Sequence, residues 1–369
     1  MKITVGTEDF LRILSRTQGV VDRRHSMAIL TNILLEAGKD EISAVATDLE
    51  VSLKQACPAK VVEPGSAAVS ARKIFEIVRE ANADEISVET TENRWVSVSY
   101  GRSRFRLMGI DPSDHPGMPA PGTGESSTIE LEAGELSEMI GKTIFAVSSD
   151  DARSNLAGVH LSRGSKKSHL RLVATDGHRL AMIDRKVNGE APKDGVILPR
   201  KGLAEMAKLL AEDTGSVRLT LSEREAQIEA GGCTLSMRVV EGTFPDYKQV
   251  VPKEAPNILR VGRDALLHSV RRVSLLSSDR AHGVRFGISE DRLEISASNP
   301  DLGEATEDLE VAYQGPQIEI GFNARYLLEV LAVLPEGGPV EIGLGDQLSP
   351  GVLHGGDDSY QYVVMPMRI

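Results

Sequence analysis

Short stretches in which apolar and polar residues alternate, each followed by a stretch with apolar residues three and four apart, recur along this chain. In the opening copy, Ile3 and Val5 alternate with polar neighbours, and Phe10, Leu11, Ile13 and Leu14 stripe the segment that follows. Alternation marks a half-buried strand, and the later spacing marks an amphipathic helix. The same grammar returns at 129–140 and 259–270, each with a Gly or Ala and an acidic residue near the join. The copies begin 126 and then 130 residues apart. That period is too long for a solenoid and suits whole domains.

Inside the first copy the pattern continues with strand-like segments at 33–37, 42–48 and 51–54, then a second strand, turn and helix at 68–79. Further alternation follows at 86–89, 95–100 and 103–107. Each domain therefore reads as two βαβββ halves, the second a degenerate copy of the first. The segment 111–124 is too rich in Pro and Gly for regular structure and reads as a linker. Second-half helices are expected after 196–199 and near 324–334, with another joint at 245–256. The domains are placed at 1–122, 127–252 and 257–369. A smaller marker checks the register: Ala46-Thr47-Asp48, Ala174-Thr175-Asp176 and Ala297-Ser298-Asn299 recur 128 and 123 residues apart, each after a strand.

The 369 residues suffice for three cores. Hydrophobic residues at 41% and charged ones at 26% fit a soluble globular protein. No stretch has the roughly 18 uncharged apolar residues of a membrane span, and the start lacks the basic and apolar regions of a signal peptide. Cys57 and Cys233 fall in different repeats, which argues against a structural disulfide or metal cluster and for a reducing cytoplasm. The net charge of −12 argues against a protein coated in nucleic acid, but not against one that binds DNA on a restricted face.

The most enzyme-like string is Thr175 to Leu180, where Asp176 and His178 suggest a general acid and base. The plainer reading is a tight turn between strands, because this Asp belongs to a marker that recurs where no His follows. The remaining histidines show no metal-ligand spacing. There is no phosphate loop, nucleophile elbow or Cys-His pairing.

Basic residues gather instead on the expected helices. Arg72, Lys73 and Arg79 lie on the first second-half helix, Arg200, Lys201 and Lys208 on the next, and Arg325 on the third. The first-half helices add Arg12, Arg16, Lys142, Arg271 and Arg272, while acidic residues concentrate in hairpins such as 85–92 and 304–310. A solvated helix face explains any one of these cations, but not the recurrence in an acidic chain. Cations without interleaved aromatics suit phosphate contact rather than base reading. The C-terminal stretch 362–369 is apolar and carries Met365 and Met367. It reads as a last strand that also offers a Met-lined surface for varied apolar peptides.

Three repeats, the central 174–181 string, Phe244 to Tyr247 and the terminal Val363-Val364-Met365-Pro366-Met367-Arg368 together resemble the DNA polymerase III beta subunit family, the bacterial sliding clamps. The resemblance covers the whole chain. It implies an α+β fold of three tandem DNA-clamp domains, with six domains closing into a ring in a homodimer, helices inside and sheets outside. About twelve helices at ~9–10 Å spacing enclose a passage on the order of 25 Å, wide enough for a duplex. The family role is a non-catalytic processivity factor without cofactor or metal. Its partners are double-stranded DNA, a clamp loader complex, the replicative polymerase catalytic subunit, and other polymerases and repair proteins carrying a clamp-binding motif.

The resemblance also assigns residues. The peptide pocket is lined by Leu156, Thr175, Gly177, His178, Arg179 and Leu180, with Pro245 and Val250 from the joint. Asn323, Tyr326, Ser349, Val363, Met365, Pro366, Met367 and Arg368 complete it. DNA contacts fall to Arg24, Arg72, Lys73, Arg200 and Lys201. The dimer interface falls to Phe105 and Leu107 against Leu275 and Leu276. Three positions depart from the family pattern: Gln249 where Arg is common, Ala281 where an aromatic can occur, and Asp150 where a neutral amide is associated with DNA. The alternatives are a peptide-binding scaffold without DNA and an enzyme using Asp176 and His178.

Overall fold

The computed structural model describes residues 1–21, 27–119, 125–150, 152–212, 214–252, 255–278 and 282–368. Among them the βαβββ pattern occurs six times. The first two copies are β1 (Lys2–Gly6), α1 (Thr7–Val20), β2 (Asn32–Ala37), β3 (Glu41–Thr47), β4 (Val51–Glu63), then β5 (Gly65–Ser70), α2 (Ala71–Arg79), β6 (Glu85–Thr90), β7 (Trp95–Tyr100) and β8 (Ser103–Met108). The next are β9 (Ser126–Glu132), α3 (Ala133–Gly141), β10 (Gly158–Arg163), β11 (His169–Thr175) and β12 (Arg179–Lys186). A two-residue strand β13 (Asn188–Gly189) precedes β14 (Val196–Pro199), α4 (Arg200–Ala211), β15 (Ser216–Ser222), β16 (Glu225–Ala230) and β17 (Cys233–Arg238). The last are β18 (Asn257–Gly262), α5 (Arg263–Val273), β19 (Gly283–Ser289), β20 (Arg292–Asn299), β21 (Gly303–Glu310), then β22 (Ile318–Asn323), α6 (Ala324–Val333), β23 (Pro339–Leu344), β24 (Gly351–Gly355) and β25 (Tyr360–Val364).

Each helix forms where the apolar stripe has a sheet to cover. Along α1, Phe10, Ile13, Leu14, Thr17 and Val20 are buried, and Glu8 and Asp9 sit in the first turn, where the helix dipole favours acidic groups. Strands with one wet face alternate: β7 reads half-buried then buried at every step.

Contacts divide the chain into two compact units. One comprises residues 1–137, 188–190 and 201–239; the other comprises 138–187, 191–200 and 240–369. The cut runs through the middle repeat because its two halves join different neighbours. In the first unit β17 pairs antiparallel with β4, from Cys233 opposite Gln55 to Met237 opposite Val51. In the second, β12 pairs antiparallel with β25, from Arg179 opposite Val364 to Ile183 opposite Tyr360. Both seams join the last strands of two βαβββ copies, so one sheet crosses each junction between repeats. The last strands of two other copies, β8 and β21, stand at sheet ends.

The recurring Ala-Thr-Asp marker is a turn with the same bonds in the first two repeats. Asp48 Oδ1 accepts from the amides of Glu50 at 2.9 Å and Val51 at 2.7 Å. Asp176 Oδ1 accepts from His178 at 2.9 Å and Arg179 at 3.1 Å. In the third repeat Asn299 Oδ1 accepts from Asp301 at 3.0 Å. A short side-chain acceptor at the end of a strand bends the chain this way. The residue after the Asp adopts a left-handed backbone, with φ 75° at Leu49 and 90° at Gly177. Glycine takes that conformation freely, whereas leucine does so at a cost.

Candidate functional site

The β12–β25 seam builds an apolar floor. Val173, Leu180 and Val363 are buried together there, and Met182, Phe244, Tyr247 and Val251 pack on them partly exposed. The floor exists because β11, β12 and β25 are neighbours in one sheet and turn these residues to the same face. The wall comes from the stretch after β17, whose aromatic rings fasten it to the sheet. Phe244 stacks on His160 with centroids 4.9 Å apart and planes 12° from parallel, and meets Tyr247 edge-on at 6.2 Å. Beneath Tyr247, Arg171 forms a two-pronged pair with Asp184 at 2.6 and 2.7 Å. That pair, with the Tyr247 hydroxyl, holds the guanidinium charge above its ordinary stability.

Arg179 anchors the other side. Its side chain is 6% exposed. It pairs with Asp176 at 3.1 Å, reaches Glu329, and donates to the Phe145 carbonyl at 2.6 Å. Its guanidinium lies 4.4 Å from the Tyr326 ring centroid and 5.4 Å from that of Phe145. Burial opposes its charge, but Tyr362 and Glu329 outweigh that and raise its pKa. Tyr362 is itself raised by burial, and its hydroxyl donates to the Tyr326 carbonyl at 3.0 Å. His178 is exposed and stacks on Tyr326 at 6.5 Å. Its carbonyl accepts the Met365 amide at 2.9 Å, which ties the C-terminal segment to the turn.

The residues expected to form a pocket all lie in the second unit. Leu156, Thr175, Arg179, Leu180 and Val363 are buried in its base. Gly177, His178, Pro245, Val250 and Met365 stand exposed around it. Asn323 caps α6 by accepting from the Arg325 amide at 2.9 Å, and Tyr326 lies one helical turn on. Met365, Pro366, Met367 and Arg368 also line an adjoining groove of about 640 Å³ with Leu348, while Ser349 sits in the turn capped by Asp346. The sequence reading missed Phe244, Tyr247, Val251, Met182 and Val173, although Phe244 and Tyr247 bracket a string it had singled out. Gln249 donates to the Asp246 carboxylate at 2.9 Å and so helps cap this turn.

The chemistry of the turn is structural. Asp176 uses one oxygen on two amides and the other on Arg179, which leaves His178 without a carboxylate to orient it. Among the described residues no group of three or more His, Cys, Asp or Glu side chains could hold a metal ion, and no helix is long and apolar enough to cross a membrane.

The helix cations are mostly paired but exposed. Arg72 and Lys73 both reach Glu76, at 2.6 and 3.0 Å, with side chains 63% and 59% exposed. Their two cations hold the Glu76 carboxyl down to about 2. Arg200 is exposed. Lys201 reaches the Asp48 carboxylate across the first seam and the Val20 carbonyl at 3.3 Å. Lys142 differs from the expectation: it is buried over the Tyr360 ring and paired with Glu138 at 2.6 Å, so it offers no surface charge. Asp150 is exposed and pairs with Arg153 at 3.0 Å. Arg24 and Ala281 lie outside the described residues. On β8, Phe105 and Leu107 are half-buried; Leu275 is 74% exposed and Leu276 half-buried in a short 3₁₀ turn after α5.

Comparisons with known proteins agree along the whole chain. Residues 1–119 match the DNA polymerase III beta subunit N-terminal domain, 130–246 the central domain and 248–368 the C-terminal domain. The beta sliding clamp of Caulobacter vibrioides is 36% identical with all of both chains covered, and that of Escherichia coli is 34% identical with the same coverage. A sliding clamp of Bartonella birtlesii, solved bound to griselimycin, superposes with a TM-score of 0.94 at 34% identity over 100% of both chains. The DNA polymerase III beta subunit of Pseudomonas aeruginosa does so with a TM-score of 0.93 at 35% identity, again over 100% of both. The chain is built of three tandem clamp domains and belongs to the DNA polymerase III beta subunit family, the non-catalytic bacterial sliding clamps.

Proposed function

We propose that two copies of this chain close head to tail into a ring around duplex DNA and tether polymerases and repair proteins through the β12–β25 pocket. The observation that carries the ring is the order of the seams. The first half of repeat one joins the second half of repeat two through β4 and β17, and the first half of repeat two joins the second half of repeat three through β12 and β25. The next step in that series joins the first half of repeat three, ending in β21, to the second half of repeat one, ending in β8. Among the described residues of one chain neither has that partner. A second copy supplies it, and symmetry supplies it twice.

The facing edges complement each other. Arg104 and Arg106 lie along β8, and Glu304, Glu307, Asp308 and Glu310 along β21. Phe105, Leu107, Leu275 and Leu276 provide the apolar part of this interface, and opposite charges favour the pairing. An unpaired edge is otherwise an aggregation hazard. The domains are assigned to 1–122, 127–252 and 257–369.

Arg72, Lys73, Arg200 and Lys201 face the DNA and contact phosphates without reading bases, so the ring slides; the same role is assigned to Arg24, which lies outside the described residues. The pocket takes a short apolar peptide: Leu180 and Val363 supply the floor, Pro245 and Val250 the wall, and His178, Arg179 and Tyr326 fix the peptide's polar groups. The griselimycin complex of a relative supports a ligand-binding role. A clamp loader and the replicative polymerase are the expected partners, in the cytoplasm.

The test is topological. Protein loaded on nicked circular DNA is retained through gel filtration, then lost once a restriction enzyme opens the circle. Equal retention on circular and linear DNA defeats encirclement.

A further inference from the structure

We infer that His160 holds the pocket wall in place only as a neutral ring, so that peptide binding weakens as pH falls. The inference rests on the pocket reading above and adds a positioning residue that acts through Phe244. His160 lies in β10, opposite Val173 of the floor on β11 and Ile197 on β14. Residues opposite each other across strands share a face, so the ring stands beside the floor and meets Phe244 face to face. The wall depends on that stack. Besides it, the Asn155 amide donates to the Thr243 carbonyl at 3.0 Å, and Arg171 reaches the Tyr247 hydroxyl only at 3.5 Å.

The surroundings fix the ring's protonation. Nε2 faces the Asp194 carbonyl at 3.4 Å. A carbonyl only accepts, so Nε2 carries the hydrogen and Nδ1 is bare. Nδ1 is buried and, among the described residues, has no hydrogen-bond partner. Gly195, with φ 72°, closes that edge: a Cβ there would stand 2.5 Å from Nε2, so the ring cannot retreat that way. A second proton would therefore place a buried donor without an acceptor on a charged ring, which costs both desolvation and a lost hydrogen bond.

The packed elements bring no carboxylate to offset that charge. On β11, Arg171 lies diagonal to His160 and is itself a cation, spent on Asp184. β14 has no titratable residue. In the loop before it Lys193 and Asp194 are exposed, and Asp194 offers the ring its carbonyl. In the stretch after β17, Glu241 and Lys248 are exposed and Asp246 caps its own turn. Burial holds the ring below its ordinary pKa of 6.5, opposed by the Asp194 carbonyl, which favours the charged form. The docked ring thus contributes fully above pH 6.5, and its contribution is lost as pH falls below that value. Lifting Phe244 frees the ring to take its proton, and the pocket loses its wall.

Anisotropy titration of the full chain with a short peptide that has leucine and phenylalanine anchors and no ionisable group tests this. Between about pH 7.5 and 5.5, affinity for the unsubstituted chain is expected to fall about fivefold more than affinity for His160→Phe, which keeps the stack and takes no proton. His178 and the other titrating groups are present in both chains and cancel. His160→Ala, which loses the stack, binds about fivefold more weakly than His160→Phe at neutral pH. Hydrogen exchange in residues 242–249, corrected for the intrinsic rate at each pH, reads the wall without peptide. Its protection is expected to drop in acid in the unsubstituted chain and to hold in His160→Phe. Equal pH dependence of the two chains in either measurement, or none in the unsubstituted chain, overturns the role of His160 and leaves the pocket standing. A peptide that binds neither chain defeats the pocket instead, and the exchange measurement then decides His160 alone.

Discussion

Arg179 uses its whole guanidinium to hold the pocket: two carboxylates, a carbonyl and two aromatic faces surround it. Replacing it with methionine leaves Glu329 and Asp176 without their cation and the Phe145 carbonyl without a donor. Removing one partner of a buried pair costs about 3–5 kcal/mol. Arg179→Met is therefore expected to lower the melting temperature in calorimetry and to weaken peptide binding. Arg179→Lys recovers part of the charge but not the forked geometry. An unchanged melting temperature would show that the network is decorative. The two cysteines make a separate residue-scale prediction. Burial pushes the Cys57 thiol up to about 11 and Cys233 to about 12. Both are then protonated at pH 8 and, being buried, resist Ellman's reagent until the chain unfolds. The unfolded thiols ionise from about pH 9. Their contribution to stability is thus intact below pH 9 and is lost as pH climbs through 11 and 12. Fast labelling of the native chain would contradict this.

At the scale of elements, the interface reading makes its own forecast. Leu275 is 74% exposed and Leu276 half-buried in the single chain, so Leu275→Asp costs little in one copy and Leu276→Asp somewhat more. In the seam the same charges are buried without partners. Sedimentation is expected to give folded monomers whose melting temperature no longer depends on protein concentration, and persistent dimers would refute the β8–β21 pairing. The elements themselves were legible because periodicity is local. The alternation of Ile3 and Val5 followed by the stripe from Phe10 to Val20 specifies β1 and α1 with no other part of the chain. The Asp48, Asp176 and Asn299 turns were legible for the same reason. The partners of each edge were not. Nothing near Cys233 says that it lies opposite Gln55, nor does anything near Arg179 point to Val364. Those pairings explain why the compact units cut through the middle repeat. They also explain the pocket residues that were missed. Phe244 and Tyr247 have no period in common with a strand, and their role depends on His160 and Arg171, which are distant in sequence. Lys142 misled for the converse reason, because its spacing is that of a helix face but the covering partner is Tyr360.

At the scale of the molecule, an excess of 54 acidic over 42 basic residues must coexist with a surface that accepts phosphates. Pairing with nearby carboxylates tempers the attraction. Arg72 and Lys73 share Glu76, and Lys201 reaches Asp48, so on the proposed reading these three cations would meet DNA only partly uncompensated. Shared carboxylates of this kind suit a surface that must slide, since a phosphate gains little at any one register. The consequence is measurable. Replacing Arg72, Lys73, Arg200 and Lys201 by alanine is expected to weaken binding to short linear duplex, where no ring can trap the DNA. The slope of log affinity against log salt should fall by less than about 0.9 for each of Arg72, Lys73 and Lys201, because these three are already partly neutralised. Retention on closed circular DNA should change much less, since a closed ring leaves only by opening. Two outcomes separate the pictures. An unchanged slope on linear duplex would show that these cations do not face DNA. An equal loss on linear and closed circular DNA would show that attraction, and not enclosure, holds the chain on its track.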